Sequence, residues 1–572
     1  MSEHDVVIRG GLVVDGTGAP ARVADVALRG SVVTEVGDVS GGARREIDAE
    51  GMLVTPGFVD MHTHYDGQAT WDPHFSPSSG HGVTTVVMGN CGVGFAPCRP
   101  EHRDWLINVM EGVEDIPGAA LHEGIQWDWE SFPEYLDALQ RRPHALDYAT
   151  QVPHSAIRGY VMGAERSEQH DATPEEIAAM ASLVGEAVDA GALGFSSSRT
   201  PLHKTAQGVL VAGTSAGMDE LTAIAAVLAS KGALFEIACD NDRIQEEVKW
   251  LDTMAREQGT SVLFNLSQTD PNPQGWTQAL AVLEKAAADG VSLTGQVAGR
   301  SIGLCMCWRG TAHPFALHPS WQALATRPWS EQLSTLRDPS FRAKLLAETA
   351  PSVGPFESFI TQTFARMFPM HAGFDYEPEP EESLAAISAR TGVAVLELVY
   401  DALMERDGEG MIYFPLFNYA SGSLDPLHTL HSHPNTRFGL ADGGAHCGAI
   451  CDAGMPTFML THWARDRRRG PRLGLEYVVK RQTKDTADVY GLLDRGVLAP
   501  GMRADVNVID YENLKLGPAR MAWDLPAGGR RLLQDATGYR FTIIGGEVVY
   551  VDGEHTGALP GALIRGPQAR PA

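Results

Sequence analysis

No apolar stretch of this 572-residue chain reaches the roughly 18–20 residues needed to cross a bilayer as a helix. The N-terminal MSEHDVVIRG has neither a basic start nor a long apolar core, so no signal peptide is expected. Positive charge is scarce: 45 Lys and Arg against 72 Asp and Glu leave a net charge of −27. That balance argues against nucleic acid or an anionic membrane as a partner. Cysteine is sparse too. Seven residues, an odd number without framework spacing, predict a reducing cytoplasm and no disulfide scaffold. With 44% hydrophobic and only 20% charged residues, the composition suits a compact globule of two or three structural units.

What is present is most concentrated in TPGFVDMHTHYD. Val54 and Phe58-Val59 read as a short buried strand, and His62 and His64 follow two apart. Alternate side chains of a strand share a face, so both imidazoles can grip one metal ion. An ion with an open coordination position activates water. Asp66 closes the motif as a carboxylate able to orient a histidine.

The first 56 residues read as short strands and turns, as in DVVIRGGLVVDGTG and DVALRGSVVTEVG. The far end repeats that character in RADVNVIDYENL and FTIIGGEVVYVDGE. A small β-sandwich built from both termini is expected, from residues 1–56 and 490–572. Between them strand-like runs alternate with helix-like runs. The runs are residues 82–88, 146–152, 192–196, 233–238, 262–267, 291–297 and 436–441. With the strand before His62 they make eight, and the expected fold is α/β, a (β/α)8 TIM-type barrel over residues 57–489. Thr173-Pro174-Glu175-Glu176 before an apolar-periodic run predicts a capped helix. Residues from about 301 to 430 interrupt the barrel after the seventh strand and read as a lid. Its apolar stretches, MIYFPLFNYA and the surroundings of Trp308, would suit a large acyl chain.

In such a barrel, catalytic side chains project from the C-terminal ends of strands. Those ends carry His62 and His64, the turn Asn90-Cys91-Gly92, His154, Arg199, Glu236, Asn265 to Gln268, Arg300, and finally Asp442 with His446. Cys91 reads by position as a small buried side chain ahead of a thiolate ligand. Asp442, in GLADGGAHCG, can take a proton from water or merely cap a turn. Arg199 and Arg300 can each clamp a substrate carboxylate or pair with an internal one. His154 can approach a reacting carbonyl or be structural. Cys305 and Cys307 read as small buried side chains in the lid.

The stretches TPGFVDMHTHYD, GVTTVVMGNCGVGFAP, VPHSAIRGYVMG, DAGALGFSSSR, LADGGAHCG and VLAPGMRADVNVID together resemble the amidohydrolase superfamily. Within it, they resemble the N-acyl-D-amino-acid deacylase (D-aminoacylase) family. The resemblance implies the barrel with its β-sandwich and zinc-dependent hydrolysis of an amide. It also implies His62, His64 and Cys91 as metal ligands, and Asp442 as both ligand and general base.

The chain departs from that family after the fifth and sixth strands, where two more histidine ligands belong. FEIACDND and FNLSQTD contain no histidine. Glu236 is the expected oxygen substitute, with Asn265 and Gln268 left to bind substrate alongside His154, Arg199, Arg300 and His446. One zinc or other divalent ion, or a weak second site, is therefore expected. A carboxylated lysine is not indicated, since Lys204 falls beyond the end of the fourth strand. The expected activity is hydrolysis of a linear amide, an N-acyl amino acid or related N-acyl compound, by metal-activated water. Rivals are a hydrolase of a carbamate, lactone or cyclic amide, and a silent amidohydrolase-like binding protein. The expected partner is a small-molecule amide, with a homo-oligomer left open.

Overall fold

Both ends of the chain enter one nine-stranded sheet, in a computed structural model that describes residues 3–351 and 354–571. His4–Val13 pairs with Arg22–Arg29, with Ala43–Asp48 and with Leu53–Pro56. Leu53–Pro56 in turn runs antiparallel to Val506–Ile509, with Val54 opposite Val508. Tyr539–Ile544 and Glu547–Val551 extend the sheet beyond it. Alternation along these strands buries Val6, Ile8, Val26, Val54, Val506 and Ile543 in a single core. Lys515–Leu525 and Gly529–Thr537 stand apart as a hairpin.

The middle of the chain supplies parallel strands. We label them β1 (Phe58–Asp60), β2 (Val83–Met88), β3 (Asp147–Thr150, resuming after Gln151 as Val152–Pro153), β4 (Gly194–Ser198), β5 (Leu234–Ala238), β6 (Ser261–Asn265), β7 (Leu293–Val297) and β8 (Thr436–Phe438). They form one three-stranded and one six-stranded sheet. The first is β1-β2-β3, and the second runs from the resumed part of β3 through β4 to β8. Beyond β1 and β8 the backbones meet again: His64 N donates to Gly443 O at 2.8 Å and Asp442 N to His62 O at 3.2 Å. Because helices cover these strands, most of their residues are buried on both faces, which explains the near-continuous apolar runs in the sequence.

Three helices matter for the site: α1 (Arg103–Glu114), α2 (Pro174–Ala190) and α3 (Met218–Lys231). The expected capping box opens α2, where the Thr173 side chain accepts from Glu176 N and the Glu176 side chain accepts from Thr173 N.

The insertion between β7 and β8 is a packed unit. Gly303–Met306, Ile412–Pro415 and Phe368–Pro369 form a small antiparallel sheet under several short helices. Cys305 N donates to Ala449 O at 2.7 Å, so the insertion sits at the strand ends that bear Asp442 and His446. Its apolar stretches are not an acyl-chain surface. Trp308 is 2% exposed and packs on Phe315, Trp321 and Tyr400, while Ile412 and Phe414 close the same core. An insertion of this length needs its own apolar interior to stay ordered, and these residues provide it.

Candidate metal centre

His62 and His64 follow β1, with ring centroids 5.3 Å apart. They lie just past the regular strand, and the Thr63–Gly443 bridge between them holds their backbone straight. Cys91 enters from the turn after β2. Gly89, Cys91 and Gly92 all have left-handed backbone there, with φ of +76°, +56° and +71°. A side chain at Gly92 would bring its Cβ within 2.9 Å of the Ser197 Cα, so glycine lets this turn press against β4. The result sets Cys91 Sγ 3.2 Å from His62 Nε2. Ligand atoms of His62, His64 and Cys91 all lie within 4.8 Å of one another.

Asp442 completes the cluster from beyond β8. Its Oδ1 is 3.5 Å from His62 Nε2 and 3.8 Å from His64 Nε2. Regular pairing ends at Phe438, earlier than the expected residue 441. Leu440, Asp442 and His446 then adopt φ of +58°, +49° and +49°. Three non-glycine residues in left-handed backbone within seven positions mark a strained turn beside the cluster.

Electrostatics separate the carboxylates. Burial alone would raise the Asp442 carboxyl. The His64 bond and the charges of His62 and His446 instead hold it well below the usual range, so it stays ionised. Glu236 is buried on β5, where desolvation pushes its carboxyl up to about 8. Its Oε2 accepts from Cys91 N at 3.2 Å, and Oε1 has no partner. Burial lowers His62 to about 4. His64 resists the same desolvation and rises to about 9 because Glu114, Asp442 and Asp66 lie beside it.

Two residues of the centre were missed in the sequence. Gln296, on β7, has its Oε1 2.9 Å from His62 Nδ1 and accepts its N–H, which leaves the Nε2 lone pair facing Cys91 and Asp442. The only hint was a polar residue near the end of an apolar strand. Glu114 is 1% exposed at the end of α1, with Oε1 3.2 Å from His64 Nδ1 and Oε2 3.6 Å from His446 Nε2. Its place on a helix in a loop region gave no warning. Conversely, Asp66 does not orient a histidine by hydrogen bonding. Its carboxylate accepts from Gly89 N and braces the Cys91 turn.

Several expected substrate contacts are engaged elsewhere. Arg199 pairs with Glu247 at 3.1 Å and lies over Trp250. Arg300 is fully buried, paired with Asp452 at 3.0 Å and stacked 3.5 Å from the Tyr376 ring centroid. Buried Arg300 needs an internal counter-charge, which Asp452 supplies; Arg199 is only half-buried but is paired as well. His154 uses both ring nitrogens, on Ser197 Oγ at 2.8 Å and Glu220 at 2.7 Å. Asn265 Oδ1 accepts from Cys239 N, tying β5 to β6. Gln268 donates to Pro273 O and accepts from Ala420 N, anchoring the insertion. His446 is different: its side chain is 24% exposed and it stands at the edge of the centre.

These donors fit a divalent cation. Two imidazoles, a thiol and a carboxylate converge, a set suited to a borderline ion such as zinc. Oxygens of buried Glu236 and Glu114 make no hydrogen bond, leaving acceptors beside the cluster that a cation would engage. All seven cysteines are free and buried. No helix of the described residues is long and apolar enough to cross a membrane.

Known proteins resemble this chain over nearly its whole length. An N-acyl-D-glutamate deacylase of Alcaligenes xylosoxydans xylosoxydans is 27% identical over 542 residues, 91% of this chain and 90% of that protein. A D-aminoacylase of the same organism is 39% identical over 193 residues, 34% of this chain and 37% of that protein. Among solved structures, a D-aminoacylase superposes with a TM-score of 0.65 at 24% identity, covering 98% of this chain and all of its own. The N-acyl-D-glutamate deacylase of Bordetella bronchiseptica, complexed with zinc and a phosphonate inhibitor, superposes at 0.64 and 24%, covering 98% and 99%. The family description "Amidohydrolase family" matches residues 45–550, and the chain belongs to that family.

Proposed function

We propose that this protein is a metal-dependent amidohydrolase that cleaves the linear amide of an N-acyl-D-amino acid. The observation that carries the reading is the convergence of His62, His64 and Cys91 with the ionised Asp442. We read the two parallel sheets, joined through Thr63 and Gly443, as one (β/α)8 barrel whose C-terminal mouth holds the centre. The β-domain draws on residues 1–56 and, of the expected 490–572, on Val506–Ile509, Tyr539–Ile544, Glu547–Val551 and Glu554–His555, while Gly561 and Leu563 pair with His144 and Tyr148 beside the barrel. Near-complete coverage of two deacylases named for N-acyl-D-glutamate and N-acyl-D-aspartate supports the substrate class.

His62, His64 and Cys91 would hold one zinc ion, with Asp442 as a fourth ligand and Glu236 within the same buried cluster. When bound, the ion supplies Lewis-acid polarisation of the amide carbonyl and lowers the pKa of water. Asp442 accepts a proton from the attacking water at Oδ1 and returns it to the leaving nitrogen. Gln296 keeps His62 in the tautomer with a free Nε2. The insertion after β7 packs against the segment that bears Asp442 and His446, through Cys305 N and Ala449 O.

The test is metal analysis of the purified protein together with a panel of N-acetyl-D- and N-acetyl-L-amino acids. Stoichiometric zinc and turnover of D-substrates are expected. Stoichiometric metal with turnover only of cyclic amides or lactones would overturn the substrate class.

A further inference from the structure

Arg199 and Arg300 are both engaged within the protein, so the substrate must be recognised by other groups. The loop between β4 and α3 supplies one. It leaves β4 at Ser198, turns at Thr200, and folds back on itself through the Lys204–Leu210 bridge and the Thr205 N to Val209 O hydrogen bond. Its outer side rests on α1, where Ala206 N donates to Asn108 O at 3.1 Å. Gly112 of α1 permits that approach: a Cβ there would lie 2.2 Å from the Thr205 carbonyl carbon. Two residues later comes Glu114, the carboxylate facing His64 and His446. The other end of the loop is fastened to the Cys91 turn, since a Cβ on Gly92 would stand 3.1 Å from Ser198 N.

The loop is thus clamped between two elements that build the centre, and His203 is the residue it brings inward. His203 Nδ1 is 2.8 Å from Ser198 Oγ. With Ser198 O–H donating to Nδ1, the ring carries its single proton on Nε2, which bonds no protein atom among the described residues. The imidazole is tied through Ser198 to the turn that carries Cys91, because the Ser197–Ser198 backbone abuts Gly92. Burial, reinforced by His446, His64 and His62, lowers its pKa to about 3 and keeps it neutral. A neutral ring fixed at one nitrogen and unengaged at the other is a hydrogen-bond donor of defined direction.

We propose that His203 contacts the substrate directly, donating from Nε2 to the oxygen of the acyl group beside the centre formed by His62, His64 and Cys91. The inference rests on the amidohydrolase reading and adds to it a residue that touches the reacting group. Ser198 is then a positioning residue, acting through the imidazole.

The test uses the full-length protein loaded with cobalt(II), which reports proximity without turnover. Ring signals of His203, identified by their absence in His203→Gln, should be paramagnetically shifted and should move again when acetate, the acyl product, is added. Acetate is expected to bind at least tenfold more weakly to His203→Ala while cobalt stoichiometry stays at the wild-type value. On N-acetyl-D-amino acids, kcat/KM should fall about a hundredfold in His203→Ala, the scale of losing one donor to a developing oxyanion. His203→Gln should regain part of that loss, and Ser198→Ala should show a smaller one. Acetate affinity and kcat/KM within threefold of wild type in His203→Ala would overturn the proposal. Should His203→Ala fold poorly, an unshifted His203 ring in the wild-type cobalt protein overturns it equally. If acetate moves the His203 signals but no acyl amino acid is hydrolysed, the contact stands and the proposed substrate class fails.

Discussion

Gln296 Oε1 accepts the Nδ1 proton of His62 at 2.9 Å, a contact made between the seventh strand and the first, 234 residues apart in the chain. It fixes which nitrogen of His62 faces the centre. Replacing Gln296 by Leu removes the acceptor and frees the ring to adopt either tautomer. Metal affinity should fall by about 10–100-fold, the usual cost of losing such a supporting bond. Competition with a chromophoric chelator measures it, and unchanged affinity would show that Gln296 does not orient the ligand.

Asp442→Asn keeps the shape of the side chain and removes its charge and basicity. Turnover should fall by about 10²–10⁴-fold, the range for loss of a general base. The circular-dichroism spectrum should match wild type. Activity within tenfold of wild type would assign the proton transfer to another group.

Cys91→Ser exchanges a soft sulfur for a hard oxygen in an otherwise unchanged turn. In the cobalt-substituted protein, the thiolate charge-transfer absorption near the ultraviolet edge should vanish, and zinc should bind more weakly. Persistence of that absorption would place the thiolate ligand at another cysteine.

Stability should fall on mild acidification, and His81 gives the sign. Its Nδ1 lies 2.9 Å from Thr457 Oγ1 and its Nε2 2.9 Å from Gln534 O, both buried. Thr457 is itself bonded to Tyr539. Burial lowers the His81 pKa to about 4. The unfolded chain, with the ordinary value, binds a proton between pH 6.5 and about 4 while the folded chain does not. The stabilisation is therefore complete above pH 6.5 and is lost as pH falls toward 4, by about 3 kcal/mol for this residue. Denaturation of wild type and His81→Asn at several pH values checks this. The stability gap between them should narrow as pH falls from 7.5 to 5.

Trp308→Ala should destabilise the protein by about 3–5 kcal/mol, the cost of emptying a large core position. Relative rates on short- and long-acyl substrates should be unchanged, because the side chain lies inside the insertion and not on its surface. A shift in acyl preference without loss of stability would return this region to substrate binding.

Much of the molecule was legible because local chemistry carries it. The β5 run LFEIA is buried on both faces because the strand is covered on both sides. Thr173-Pro174-Glu175-Glu176 opens a helix because its side chains satisfy the first free N–H groups. The HxH motif placed two imidazoles on one side, facing Cys91 and Asp442, because the backbone around Thr63 is extended. Those features depend on neighbours a few residues away, and a sequence displays such neighbours directly.

Other decisions required distant segments to meet. Nothing local distinguishes Arg300 as a clamp from Arg300 as the partner of Asp452, 152 residues later. Glu114 and Gln296 join the centre only because a helix end and a strand end arrive beside His64 and His62. The apolar stretch around Ile412 could line a pocket or fill a core, and only its pairing with Gly303–Met306 chose the core. The sequence by itself determined the strand–helix alternation, the pair of histidines that follows the first strand and the family. The tertiary structure decided which buried polar groups face the centre and which neutralise one another. That depends on pairwise distances within a low-dielectric interior, where each charge must find a partner.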